Sequence, residues 1–151
     1  MSASSRLTEL GISLPPVAAP VAAYVPAVRS GNQVVTSGQL PFVSGELPLT
    51  GAVGSQVDVE DAASQARIAV LNALAAAAEA AGGVDAIKRV VKVVVFVNSA
   101  ADFTGQPAVA NGASEVLGEI FGQAGRHARS AVGVSSLPLG SPVEVELTVE
   151  V

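Results

Sequence analysis

Cysteine and tryptophan are absent from all 151 residues. Without a thiol there is no disulfide, no thiolate metal ligand and no cysteine nucleophile. A single histidine, His127, stands in the chain, and no acids accompany it at metal-ligand spacing. Aromatic residues amount to 3%, which leaves little for stacking nucleobases. Thirteen acids against eight Lys and Arg leave a net charge of −5. The clustered cations that hold nucleic acid or an anionic membrane surface are therefore missing. No Gly-x-Gly-x-x-Gly or P-loop pattern occurs. The longest apolar candidate, Ile68 to Gly82, is broken by Asn72 and Glu79. It falls short of the ~20 apolar residues a membrane span needs. The opening stretch lacks a compact apolar segment behind a basic start, so a cytoplasmic location is the expectation.

What is present is small and β-branched. Hydrophobic residues reach 50%, and 27 alanines and 26 valines supply most of them. The length fits one domain and can bury roughly 68–70% of the unfolded surface. Charged residues are 14%, against an average of about 25%. So little charge to cover a surface points to an apolar face hidden in an oligomer.

Along the chain, residues 1–23 read as a head, separate from a single domain over 24–151. The head has a polar turn followed by a run punctuated by Pro15, Pro16 and Pro20, expected to be extended or irregular. Tyr24–Val28 and Gln33–Ser37 read as a hairpin around Ser30-Gly31-Asn32. Residues 44–56, rich in glycine and proline, read as a loop. Asp58 is an N-cap candidate for a helix running to about Ala81, with Gly82-Gly83 as its stop. Ile68, Leu71 and Leu74 mark its expected buried stripe. Arg89–Val97 is a strand without clean alternation, which predicts burial on both faces. Pro107 opens a second helix reaching about Phe121. His127–Val134 is a further strand. Val143–Val151 alternates throughout, with valines and Leu147 on one face and Glu144, Glu146, Thr148 and Glu150 on the other. The order is β-β-α-β-α-β-β, an α+β arrangement whose two helices cover one face of the sheet. A second subunit is the economical cover for the other.

Few residues can carry chemistry. His127 is flanked by Arg126 and Arg129, which oppose its protonated form, and a surface or interface histidine is favoured over a catalytic one. Arg129 stands between the small residues Ala128 and Ser130, with room around its head. Arginine is the side chain that clamps a carboxylate with two parallel bonds. An exposed strand arginine, or an ion-pair partner of an interface acid, remains the alternative. Glu144 is not separable by pattern from the solvated Glu146 and Glu150.

Several segments resemble the RidA family, also called YjgF and, in older descriptions, translation inhibitor or L-PSP endoribonuclease. They are Ala23-Tyr24-Val25-Pro26-Ala27-Val28, Val35-Thr36-Ser37-Gly38-Gln39-Leu40-Pro41, Val91 through Asn98, and the run from Arg129 through Pro138 to Val143-Glu144-Val145-Glu146. The resemblance implies a chorismate-mutase-like fold and a homotrimer whose sheets face a central barrel. It implies sites between subunits and hydrolysis of reactive 2-imino acids or enamines to 2-oxo acids and ammonia. No metal or organic cofactor is implied. By matching motif, Arg129 would hold the substrate carboxylate and Glu144 would orient or deprotonate water. The Ala131 carbonyl would accept from the imine nitrogen, at a position where the family often has cysteine. Tyr24, Gly38 and Asn111 would line the cleft, although Tyr24 could equally be a core aromatic. The head and the Asp102–Asn111 segment are longer than in the archetype, and Gly125-Arg126-His127 replaces a short apolar lead-in. These departures mark a divergent branch. Two other functions stay open: a non-catalytic sensor that binds small carboxylates through Arg129, and an endoribonuclease, which the acidic balance disfavours.

Overall fold

The computed structural model describes residues 1–17 and 22–151. Pro20, part of the punctuated run, lies outside the described residues. Strands β1 (Ala27–Ser30) and β2 (Gln33–Thr36) form a hairpin, with Ser30 opposite Gln33. The two-residue turn needs Gly31, whose φ of 61° lies in the left-handed region. The first strand thus begins at Ala27, and Tyr24 stays outside it. Helix α2 (Val59–Ala81) begins at the Asp58 cap, whose side chain accepts from the Asp61 N–H at 2.8 Å. It ends at Gly82 in the left-handed conformation. Strand β3 (Arg89–Asn98), helix α3 (Gln106–Phe121), strand β4 (Ala128–Val134) and strand β5 (Val143–Glu150) follow.

The five strands make one sheet in the order β1-β2-β5-β3-β4. Strand β4 runs parallel to β3, joined to it through α3; the remaining neighbours are antiparallel. Helices α2 and α3 pack on each other and on the same face of the sheet. That face buries Val34, Val93, Val95, Val97, Val143, Val145, Leu147 and Val149. The uneven pattern of β3 has a local cause. A register shift between Val90 and Lys92 lets both Val90 and Val93 point inward. On the opposite face, Val91, Val94 and Phe96 are half-buried rather than buried. Val28, Val35 and Val132, at 54%, 45% and 43% exposure, continue this apolar surface. Within one chain the second face of the sheet is open.

Two further expectations change. The head is not irregular throughout: Ala3–Glu9 forms a short helix α1 capped by the Ser2 hydroxyl. Leu7 is buried in the same core as the strands, so this helix belongs to the packed body. On α2, Ile68 and Leu71 are half-buried, while Ala62, Ala66, Ala69, Val70, Ala73, Leu74 and Ala77 make the buried stripe. Alanine lets α3 come close. A Cβ on Gly112 would lie 2.6 Å from the Ala63 carbonyl carbon, so glycine is required at this crossing.

Candidate functional site

The named residues fall into two groups. The first surrounds Glu144. Strand β5 places Glu144 on the open face, opposite Phe96 of β3. Beyond β2, the chain continues alongside β5, with Gln39 bridging Val145 through two backbone hydrogen bonds. This brings Gly38 against the Glu144 carboxyl: a Cβ there would stand 2.8 Å from Cδ. A cleft of about 700 Å³ opens at this point, lined by Tyr24, Gly38, Gln39, Leu40, Phe42, Asn72, Pro138 and Glu144. Pro15, Pro16 and Val17 of the head form part of its wall. Tyr24 is 59% exposed, which removes the core-aromatic alternative. Glu144 is half-buried. Desolvation, and secondarily repulsion from Glu146, holds its carboxyl above the ordinary range for glutamate. The alternating pattern could not separate Glu144 from its neighbours; the cleft does.

The second group surrounds Arg129. In the parallel β3–β4 register Arg129 lies opposite Val93, so it shares the helix-covered face. Its NH1 donates to Asn111 Oδ1 at 2.8 Å and to Ser114 Oγ at 3.2 Å, both on α3. Ala131, two residues on, lies on the same face opposite the buried Val95. A hollow of about 460 Å³ beside Arg129 is lined by Ser114, Gly118, Gly122, Gly125, Arg126 and His127. Among the described residues the ion pairs are Arg6–Glu9 and Arg67–Glu119, so Arg129 is not spent on an acid.

One chain does not bring the two groups together. Glu144 and Arg129 sit on opposite faces of the sheet, on strands separated by β3. Tyr24 and Gly38 go with Glu144, and Asn111 goes with Arg129; Ala131 shares the Arg129 face. Sequence reasoning missed Asn72, whose Nδ2 donates to the Leu40 and Phe42 carbonyls at 2.9 and 3.1 Å and pins the loop that shapes the cleft. Its signal was an amide interrupting the apolar run of an alanine-rich helix. Ser114 was missed as well, because its partners lie on the far side of a turn.

Comparison with known proteins agrees with this architecture. The YjgF/chorismate mutase-like endoribonuclease family matches residues 4–151, and the chain belongs to that family. Protein TCP17 of Trypanosoma cruzi is 46% identical over 148 residues, covering 97% of this chain and 92% of that protein. A 2-iminobutanoate/2-iminopropanoate deaminase of Salmonella typhimurium is 37% identical over 128 residues, covering 85% and 87%. The crystal structure of Atu1372 from Agrobacterium tumefaciens, a protein of unknown function, has a TM-score of 0.89 at 42% identity, covering 99% of this chain and 92% of that one.

Proposed function

We propose that this protein hydrolyses reactive 2-imino acids, or their enamine tautomers, to 2-oxo acids and ammonia. The site forms where two copies meet in a homotrimer. Arg129, Asn111 and Ala131 come from one protomer; Glu144, Gly38 and Tyr24 come from its neighbour. Arg129 holds the substrate carboxylate. Ionised Glu144 accepts a proton from water as the oxygen bonds to the imine carbon. Glu144 returns that proton to the nitrogen, giving the carbinolamine. It then takes the carbinolamine hydroxyl proton as the C=O forms and the C–N bond breaks, and passes it to the departing nitrogen, which leaves as ammonia. The Ala131 carbonyl accepts an N–H of the imine. Water and these groups complete the balance without a cofactor.

One observation carries the assignment. A guanidinium without an acid partner and a desolvated carboxyl occupy opposite faces of a sheet with an uncovered apolar surface. Burial raises the carboxyl above its ordinary range, which makes the ionised form a stronger general base. The reaction asks for modest acceleration, since imines hydrolyse unaided; a placed base supplies about 10²–10⁴-fold. Similarity to a named 2-iminobutanoate/2-iminopropanoate deaminase supports the same chemistry.

The test is ammonia release from 2-aminoacrylate or 2-iminobutanoate generated in situ. Arg129→Ala should remove most of the enzyme-dependent release and leave the oligomer intact. Equal release from variant and wild type rejects the assignment. Saturable carboxylate binding without release would move the function to a sensor.

A further inference from the structure

Arg129 carries five N–H hydrogens, and its surroundings use them unequally. Its NH1 donates to Asn111 Oδ1 at 2.8 Å and Ser114 Oγ at 3.2 Å, which accounts for both hydrogens of that nitrogen. A long contact of 3.5 Å joins NH2 to the Pro107 carbonyl. Nε–H has no protein acceptor among the described residues. The edge formed by Nε and NH2 is therefore the one left to grip a carboxylate in two-point fashion.

What holds NH1 is itself held. Nδ1 of His127 lies 2.6 Å from the Gly125 carbonyl oxygen. A carbonyl can only accept, so Nδ1 carries the imidazole proton. In the neutral ring Nε2 is then a bare acceptor, and Ser114 Oγ, 2.9 Å away, donates into it. With its proton so directed, Ser114 turns a lone pair toward Arg129. The far end of this chain of bonds is rigid. Gly125 is buried, and a Cβ there would stand 3.0 Å from the Leu117 carbonyl carbon of α3. Asn111 and Ser114 are three residues apart on α3 and so lie on one side of it, toward β4.

We infer that Ser114 and His127 are positioning residues that fix the NH1 end of Arg129, so that its Nε–NH2 edge stands ready for the substrate carboxylate. This rests on the carboxylate-binding role of Arg129 proposed above. The clamp is made in bound substrate and transition state alike, so loosening it raises KM and leaves kcat nearly alone. Ordering a freed arginine on binding sets the size of the effect, roughly three- to tenfold.

Ser114→Ala should raise KM by that factor with kcat within about twofold, and Ser114→Thr, which keeps the hydroxyl, should hold KM near wild type. His127→Phe should match Ser114→Ala, and the double variant should be no worse than either, because both act through one chain of bonds. Nitrogen-15 spectra of His127 at about pH 8 should show Nδ1 protonated and Nε2 bare. An Nε2–H tautomer, additive losses, or an unchanged KM in Ser114→Ala each overturn the inference while turnover stands. Should wild type release no ammonia, the deaminase assignment fails, and the positioning role is read from calorimetric binding of pyruvate to wild type and Ser114→Ala. Wild type that neither turns over nor binds pyruvate overturns both.

Discussion

An alanine at position 38 would drive its methyl into the Glu144 carboxyl. The obstruction is the free end of a side chain, so the fold yields and the carboxylate moves. Gly38→Ala should therefore melt close to wild type and lose activity about 10²-fold, the order expected for a catalytic group displaced by an ångström. Thermal melts beside ammonia release check this; a large fall in melting temperature contradicts it. Glu144 itself invites a pH experiment. Its folded carboxyl titrates above the ordinary glutamate value, because burial disfavours the charge. The folded state thus binds the proton more tightly than the unfolded chain. The associated stability is present at low pH and lost as pH rises through the folded value. Glu144→Gln, neutral throughout, should melt at or above wild type near pH 7, and that advantage should vanish near pH 4. Its ammonia release should be abolished. A variant less stable than wild type near pH 7 contradicts a cost from burying this carboxylate.

Helix α1 illustrates how an element can be held from outside itself. The Ser4 backbone N–H and hydroxyl donate to the two Asp85 carboxyl oxygens at 2.8 and 2.6 Å, and Arg6 Nε donates to the Glu119 carbonyl at 2.8 Å. The Ser4 bonds hold the Asp85 carboxyl below its ordinary range. This anchoring is in force above the ordinary aspartate value and is lost as pH falls through the lower folded one. Asp85→Ala should speed amide exchange in Ala3–Glu9 while the sheet amides stay protected; uniform exchange across both contradicts it. The same helix marks a limit of reading the chain. Five of its seven residues are polar, Leu7 alone is buried, and its anchor lies 81 positions away, so no local pattern announces it. Helix α2 was legible because Asp58 and Gly82 are local signals. Its buried stripe was legible only at Leu74, because alanine fills most of that face while Ile68 and Leu71 rest at the margin. For the candidate site, family resemblance supplied Arg129 and Glu144 as a pair. Their separation onto two faces follows from strand order, which periodicity does not encode. The bonds from Ser114 to Arg129 and His127 depend on β4 returning beside α3.

For the whole molecule, the consequential surface is the open side of the sheet. Val28, Val35, Val94, Phe96 and Val132 form an apolar expanse there beside Glu144. Hydrophobic area of this kind is normally covered in a stable protein. If neighbours in a trimer each contribute one group, two inactive variants can repair one another. Arg129→Ala and Glu144→Gln, unfolded together and refolded as a mixture, should recover about a quarter of wild-type activity, since that share of interfaces receives both intact groups. No recovery in demonstrably mixed oligomers would place both groups on the same chain. The partition of Arg129 and Glu144 between opposite faces reaches further. On the proposed assembly a lone polypeptide would hold two half-tools and no catalyst, so abundance would become a control variable: specific turnover should collapse on dilution below the assembly constant, and a newly made chain should stay idle until it finds its kin.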